Sequence, residues 1–190
     1  NASIIDPNPI IFFEHRWLHD TISYVPSKYY LEDLSKAKII KKGTMITLIS
    51  FSYGVLSCIK SYNFLKKNNI SVEILDLRVL NPIDKKTILK SVKKTGRVII
   101  VDNGWSTYGV SAEIMSLIIE NISQFLKEKP YRIGNKQTSM PSTRFLAKYC
   151  YINEYDICKL TAKILKKNIN LNELDKYVND VPDQNFKGPF

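Results

Sequence analysis

Met45-Ile-Thr-Leu-Ile-Ser-Phe51 is a β-rich apolar run, and the residues after it decide the fold. Ser52 stands where a helix N-cap belongs, and Val55, Ile59, Tyr62 and Leu65 then recur at helical spacing up to Lys66-Lys67-Asn68-Asn69. Val72–Leu77 reads as a second strand, and Asp84 caps a helix carrying Ile88, Leu89 and Val92 that stops at Gly96. Arg97–Val101 is nearly all Val and Ile, as a strand covered on both faces must be. Asp102-Asn103-Gly104 reads as a turn, and Val110–Phe125 as a long helix with Ile114, Leu117, Ile118 and Ile122 on one face. Tyr131-Arg-Ile133 is a short strand, and Glu154–Leu165 a closing helix with Ile157, Leu160, Thr161 and Ile164 inward. Strands alternating with helices at this spacing mean α/β: βαβ units building a mostly parallel sheet covered on both sides.

The flanks read differently. Pro9-Ile-Ile-Phe-Phe-Glu14 has the pattern of a buried strand, and residues 21–44, with Pro26 and Gly43 and no strong period, read as an extended linker. Residues 168–190 form a tail with little hydrophobic periodicity. Asn1-Ala-Ser3, without an initiator Met, reads either as a tag scar, in which case the chain is expected to be a fragment, or as the native start of a processed protein.

Composition narrows the function classes. The formal charge is +10, which suggests nucleic acid, but the lysines come in pairs (Lys41-Lys42, Lys66-Lys67, Lys93-Lys94, Lys166-Lys167), the last three at helix ends, where the macrodipole favours cations. No nucleic acid and no membrane partner is expected. Three cysteines at unrelated spacings make neither a disulfide framework nor a zinc site and suit a reducing cytoplasm.

Chemistry-bearing motifs are few. Gly104 and Gly109 mimic the first half of a phosphate loop, but Val110 stands where the lysine belongs, leaving a tight turn or a weak anion site at the helix start. The only histidines, His15 and His19, lie four apart in Glu14-His-Arg-Trp-Leu-His19; two ligands without a third make no metal site. Glu14, His15, Arg16 and His19 read either as a polar cluster at a strand end, where α/β proteins place ligand chemistry, or as a domain-edge salt-bridge cluster. Asp76 and Arg78 read as a pair, with each other or across a subunit boundary, and Asp84 as a cap.

Several of these segments together resemble one family. Pro9–Glu14, Gly43–Ile49, Val72-Glu-Ile-Leu-Asp-Leu-Arg78, Asn81-Pro-Ile-Asp84, Ser91–Arg97, Gly104-Trp105, Gly109-Val-Ser-Ala-Glu-Ile114 and Met140-Pro141 follow in an order similar to the C-terminal half of the β subunit of thiamine-diphosphate-dependent 2-oxo acid dehydrogenases, the E1 component acting on pyruvate or branched-chain 2-oxo acids. The resemblance implies a transketolase C-terminal domain over residues 45–167, a three-layer αβα sandwich with one antiparallel edge strand. It makes residues 4–20 the last strand of a truncated pyrimidine-binding domain.

It further implies that the parent complex decarboxylates a 2-oxo acid on thiamine diphosphate with Mg²⁺ and passes the acyl group to a lipoyl carrier. No cofactor or metal is then bound by this fragment, which has no catalytic residue of its own. Its partners would be an α-type subunit, a second β-type subunit and the lipoyl acyltransferase core. Glu14, His15, Arg16 and His19 become substrate-side candidates, and Asp76, Arg78, Asp84 and Glu113 structural or interface candidates. Dehydrogenase relatives often carry Glu-x-x-x-Leu-Tyr where this chain has Glu14-His-Arg-Trp-Leu-His19, which leaves the substrate open. Alternatives are a transketolase or deoxyxylulose-phosphate synthase relative, and a non-catalytic interaction module.

Overall fold

The computed structural model describes residues 1–177 other than 20, 21 and 23, so the tail beyond 177 lies outside the described residues. Five strands form one sheet in the order β1-β3-β2-β4-β5: β1 (Lys38–Lys41), β2 (Ile46–Ser50), β3 (Val72–Asp76), β4 (Val98–Trp105) and β5 (Tyr131–Asn135). The helices are α1 (Ala2–Ile5), α2 (Tyr53–Lys67), α3 (Lys85–Thr95), α4 (Val110–Ile122), α5 (Arg144–Ala147) and α6 (Glu154–Leu165). β2 pairs in parallel with β3 and β4, β4 pairs in parallel with β5, and β1 runs antiparallel to β3. No described helix is long and apolar enough to cross a membrane.

Alternation along the central strands builds the layers. Ile46, Leu48, Val72, Ile74, Ile99 and Val101 face Cys58, Leu65, Ile157 and Ile164 of α2 and α6. Ile49, Leu75, Val98 and Ile100 face Ile88, Val92, Ile114 and Ile118 of α3 and α4. The result is a three-layer αβα sandwich. The move from β2 to β3 runs one way under α2, while β3 to β4 and β4 to β5 run the other way under α3 and α4. All three crossovers therefore share one hand, as the crossover rule requires.

Most caps follow the sequence. Asp84 Oδ1 accepts from Thr87 N at 3.0 Å, and Gly96 ends α3 at φ 70°, its N–H donating to Val92 O at 2.8 Å. Asn153 and Asp156 form a capping box at α6. Ser52 departs from expectation: it occupies the N-cap position of α2 at φ 52° with no side-chain cap bond.

Three other expectations are corrected. Asp102-Asn103-Gly104 is the continuation of β4, not a turn, with the register to β5 shifting between Val101 and Trp105. The stretch read as linker holds the antiparallel edge strand β1, whose four residues are too few to show a period. Pro9–Glu14 forms no strand, and Ile11, Phe12 and Phe13 are exposed at 81%, 70% and 86%. An apolar run becomes a strand only beside another strand, and none of the five described strands pairs with it. The described part of the tail is not loose: Ile169, Leu171 and Leu174 pack on the α2–α6 side of the core.

One buried polar network crosses the α3 face. Glu73, fully buried on β3, accepts from Ser91 Oγ at 2.5 Å and from Gly43 N at 3.4 Å, and forms an ion pair with Lys94. Thr47 Oγ1 joins Ser91 and Thr95 at 3.0 and 2.9 Å. A Cβ on Gly43 would lie 2.1 Å from the Val72 carbonyl carbon, so the backbone approach here admits only glycine.

Candidate functional site

Because β2 and β4 are neighbours whose following helices leave to opposite faces, the sheet has its topological switch point between them. Open α/β sheets bind ligands in the crevice beyond such strand ends. A cleft of about 440 Å³ lies there, formed by residues just after β2 (Tyr53, Gly54), at the ends of β4 and β5 (Asn103, Asn135), before α6 (Tyr151) and on the N-terminal segment (Glu14 to Trp17). Asn103 Nδ2 donates to Phe51 O at 2.8 Å, and Asn135 Nδ2 donates to Asn103 O at 2.6 Å, tying the three strand ends together. A Cβ on Gly54 would sit 2.3 Å from Ser50 Oγ and 2.9 Å from Asn103 Oδ1, so glycine lets α2 start against the β4 end.

Aromatic rings make the cleft wall. His15 stacks on Tyr53 with centroids 5.0 Å apart, and Trp17 meets Tyr53 at 5.2 Å and Tyr151 at 5.7 Å. His15 Nδ1 accepts from Trp17 N at 3.3 Å, which leaves Nε2 as the protonated nitrogen of the neutral ring. Burial holds the His15 pKa below its ordinary value, and burial, with Glu154 nearby, raises that of Tyr53. Lys60 and Arg16 bring positive charge to the lining, Glu14 and Glu154 negative. The arrangement can hold a ligand with an apolar or flat portion against rings and a polar end near Lys60, Arg16 and the Nε2–H of His15.

Of the substrate-side candidates, Glu14, His15 and Arg16 line this cleft. His19 is not in the lining; its Nε2 lies 3.1 Å from Glu14 Oε2. The other four candidates are elsewhere. Asp76 Oδ1 accepts from Arg78 N at 3.0 Å, and burial pushes its carboxyl up against the pull of that bond. The Arg78 guanidinium goes to Glu32 Oε2 at 2.6 Å and to the carbonyls of Asp33 and Lys36 at 3.1 and 2.5 Å, with Arg78 itself at φ 56°. It thereby fastens the segment before β1 to the strand end. Asp84 adds Oδ2 as acceptor for Ala37 N at 3.0 Å; burial opposes its ionisation, but bonds from Thr87 and Ala37 still bring its pKa below the ordinary value. Glu113 is exposed in the first turn of α4, where the helix dipole favours a carboxylate.

The glycine-flanked loop before α4 is explained by a residue the sequence reading passed over. Asp102, 3% exposed, accepts from Gly104 N and from Ser111 N, both at 3.0 Å. Its carboxylate already sits at the start of α4, so the weak anion site expected there has an internal occupant. Tyr53, Tyr151, Asn103 and Asn135 were also missed. Their only signal was position, at or just past strand ends, and that becomes legible once strand order is known.

The described residues contain no group of three or more His, Cys, Asp or Glu able to hold a metal ion.

Comparison with known proteins agrees with this architecture. Residues 35–157 match the family model "Transketolase, C-terminal domain". The chain is similar to the pyruvate dehydrogenase E1 component subunit beta of Rickettsia bellii (31% identity over 163 residues, 86% of this chain and 50% of that protein). Similar matches are the mitochondrial counterpart of Dictyostelium discoideum (30%, 88% and 48%) and the subunit beta of Acholeplasma laidlawii (35%, 75% and 44%). A solved structure titled "Split gene transketolase, inactive beta4 tetramer" superposes with a TM-score of 0.64 at 17% identity, covering 75% of this chain and 46% of that one. The chain spans about half the length of the curated relatives it matches. It belongs to the family of transketolase C-terminal domains, in the form carried by E1 β subunits.

Proposed function

We propose that this chain is the C-terminal half of a β-type subunit whose complex decarboxylates a 2-oxo acid on thiamine diphosphate and passes the acyl group to a lipoyl carrier. The observation that supports this best is its alignment with half of several E1 β subunits, all named for pyruvate dehydrogenase. Its own share of the work is assembly with an α-type and a second β-type subunit, docking of the acyltransferase core, and shaping of the substrate side. Glu14, His15 and Arg16 supply the polar contacts of that side, and His19 orients Glu14. The cofactor and Mg²⁺ belong to other parts of the complex, which fits the carboxylate-filled start of α4. The working compartment in this reading is the cytoplasm, in keeping with three free buried cysteines.

Titration calorimetry tests it directly. The chain alone should give no heat with thiamine diphosphate and Mg²⁺, whereas an α-type partner co-expressed with the complete subunit should confer both binding and 2-oxo acid decarboxylation. Micromolar binding by the chain alone would overturn the division of labour.

A further inference from the structure

We propose that the single turn Arg16–Leu18 is an acid-opened latch on the cleft: His15 Nδ1 holds the turn closed with Trp17 against Tyr53 and Tyr151, and protonation of that nitrogen releases the ring. His15 is the N-cap of the turn, and its Nδ1 is the acceptor for Trp17 N. A protonated Nδ1 is a donor and cannot take that bond. Trp17 reaches the α/β layers through one ring from α2 and one from the residues before α6. When the cap bond is lost the turn keeps only its backbone bonds, Leu18 N to His15 O at 2.9 Å and His19 N to Arg16 O at 3.2 Å, so the indole is held less firmly on Tyr53 and Tyr151 and the cleft opens on that side.

The charged and titratable groups around His15 set the sign. Its own segment brings Glu14, Arg16 and His19, α2 brings Tyr53 and Lys60, and the α6 side brings Tyr151 and Glu154. Glu14 and Glu154 favour the imidazolium, while Arg16, Lys60 and the partial burial of the ring disfavour it. Burial prevails and depresses the His15 pKa. The stabilising neutral form is thus fully present above the unfolded histidine value and is lost as pH falls through the lower folded value. His19 Nε2, 3.1 Å from Glu14 Oε2, contacts its own segment and not the Trp17 N–H.

The chain contains two tryptophans, so the Trp105→Phe chain reports Trp17 alone. Between about pH 7.5 and about pH 5 its emission should shift to the red and become more quenchable by acrylamide, with the midpoint below about 6.5. His15→Asn keeps an acceptor at the N-cap without a titrating ring, so the shift should vanish while the neutral-pH spectrum stays. His19→Gln should leave the shift in place. If Trp105→Phe disturbs folding, the indole N–H resonance of Trp17 in the unaltered chain, followed by NMR over the same range, serves instead. A flat response in the parent, or an unchanged shift in His15→Asn, would refute the latch.

Discussion

Replacing Lys94 by Met should destabilise the chain by about 2 kcal/mol, and adding Glu73→Gln should restore most of that loss. The Glu73 side chain is 1% exposed and that of Lys94 is 44% exposed, so the pair joins a buried anion to a half-solvated cation. Opposite charges about 4 Å apart attract by about 4 kcal/mol at an effective dielectric near 20. Solvent on the lysine side screens this by roughly half, placing the pair between exposed bridges, at about 0.2–1 kcal/mol, and fully buried ones, whose rupture costs about 3–5. Without Lys94 the carboxylate keeps only Ser91 Oγ and the long contact from Gly43 N. Glutamine can still accept from Ser91 and carries no charge, so the double variant no longer strands one. Calorimetric unfolding of the four proteins at neutral pH gives the cycle, and for a chain of this size the loss corresponds to a Tm drop of roughly 4–8 °C. A Lys94→Met chain within about 0.5 kcal/mol of the parent, or two substitutions that simply add, would refute the coupling of Lys94 to Glu73.

Gly54→Ala should cost about 1–3 kcal/mol, because its methyl meets Ser50 Oγ at 2.3 Å, and should move or broaden the ring resonances of Tyr53; denaturant titration and NMR check both. Asp102→Ala strips the N–H groups of Gly104 and Ser111 of their acceptor in a buried place, with an expected loss of about 2 kcal/mol and faster amide exchange in the first turn of α4. Asp84→Asn should remove an acid-sensitive increment of stability. The lowered pKa of Asp84 contributes above its unfolded value and is lost as pH falls through the folded one, so parent and variant should converge below about pH 4.

The parts of the fold legible in the sequence are those where burial on both faces forces the composition. Ile46–Ser50 and Val98–Val101 cannot be anything but central strands, and Ile114, Leu117, Ile118 and Ile122 fix the inward face of α4. Asp102-Asn103-Gly104 misled because these residue types favour turns locally, whereas here the ladder to β5 continues past them and the aspartate is spent on the next helix. β1 was invisible because a four-residue edge strand with a Lys at each end turns only Ile40 toward the core, too little to show a period. Glu14, His15 and Arg16, adjacent in the chain, show in the sequence as a polar cluster, whereas Tyr53, Asn103, Asn135 and Tyr151, which line the same cleft, are far apart in the chain and meet only through the strand order.

The antiparallel strand inside the apparent linker bears on where this domain can be cut. A boundary drawn at Met45, where the apolar runs begin, would strip β1 from β3 and turn a buried strand, Val72–Asp76, into a bare edge with unpaired amides. Such an edge recruits strands from other molecules. It would also discard Glu32 and the carbonyls that hold Arg78, and Gly43, whose amide reaches Glu73. An excised domain meant to stay soluble should therefore begin before Glu32, and the same logic makes the 32–44 stretch a poor place for a tag, a protease site or a fusion joint.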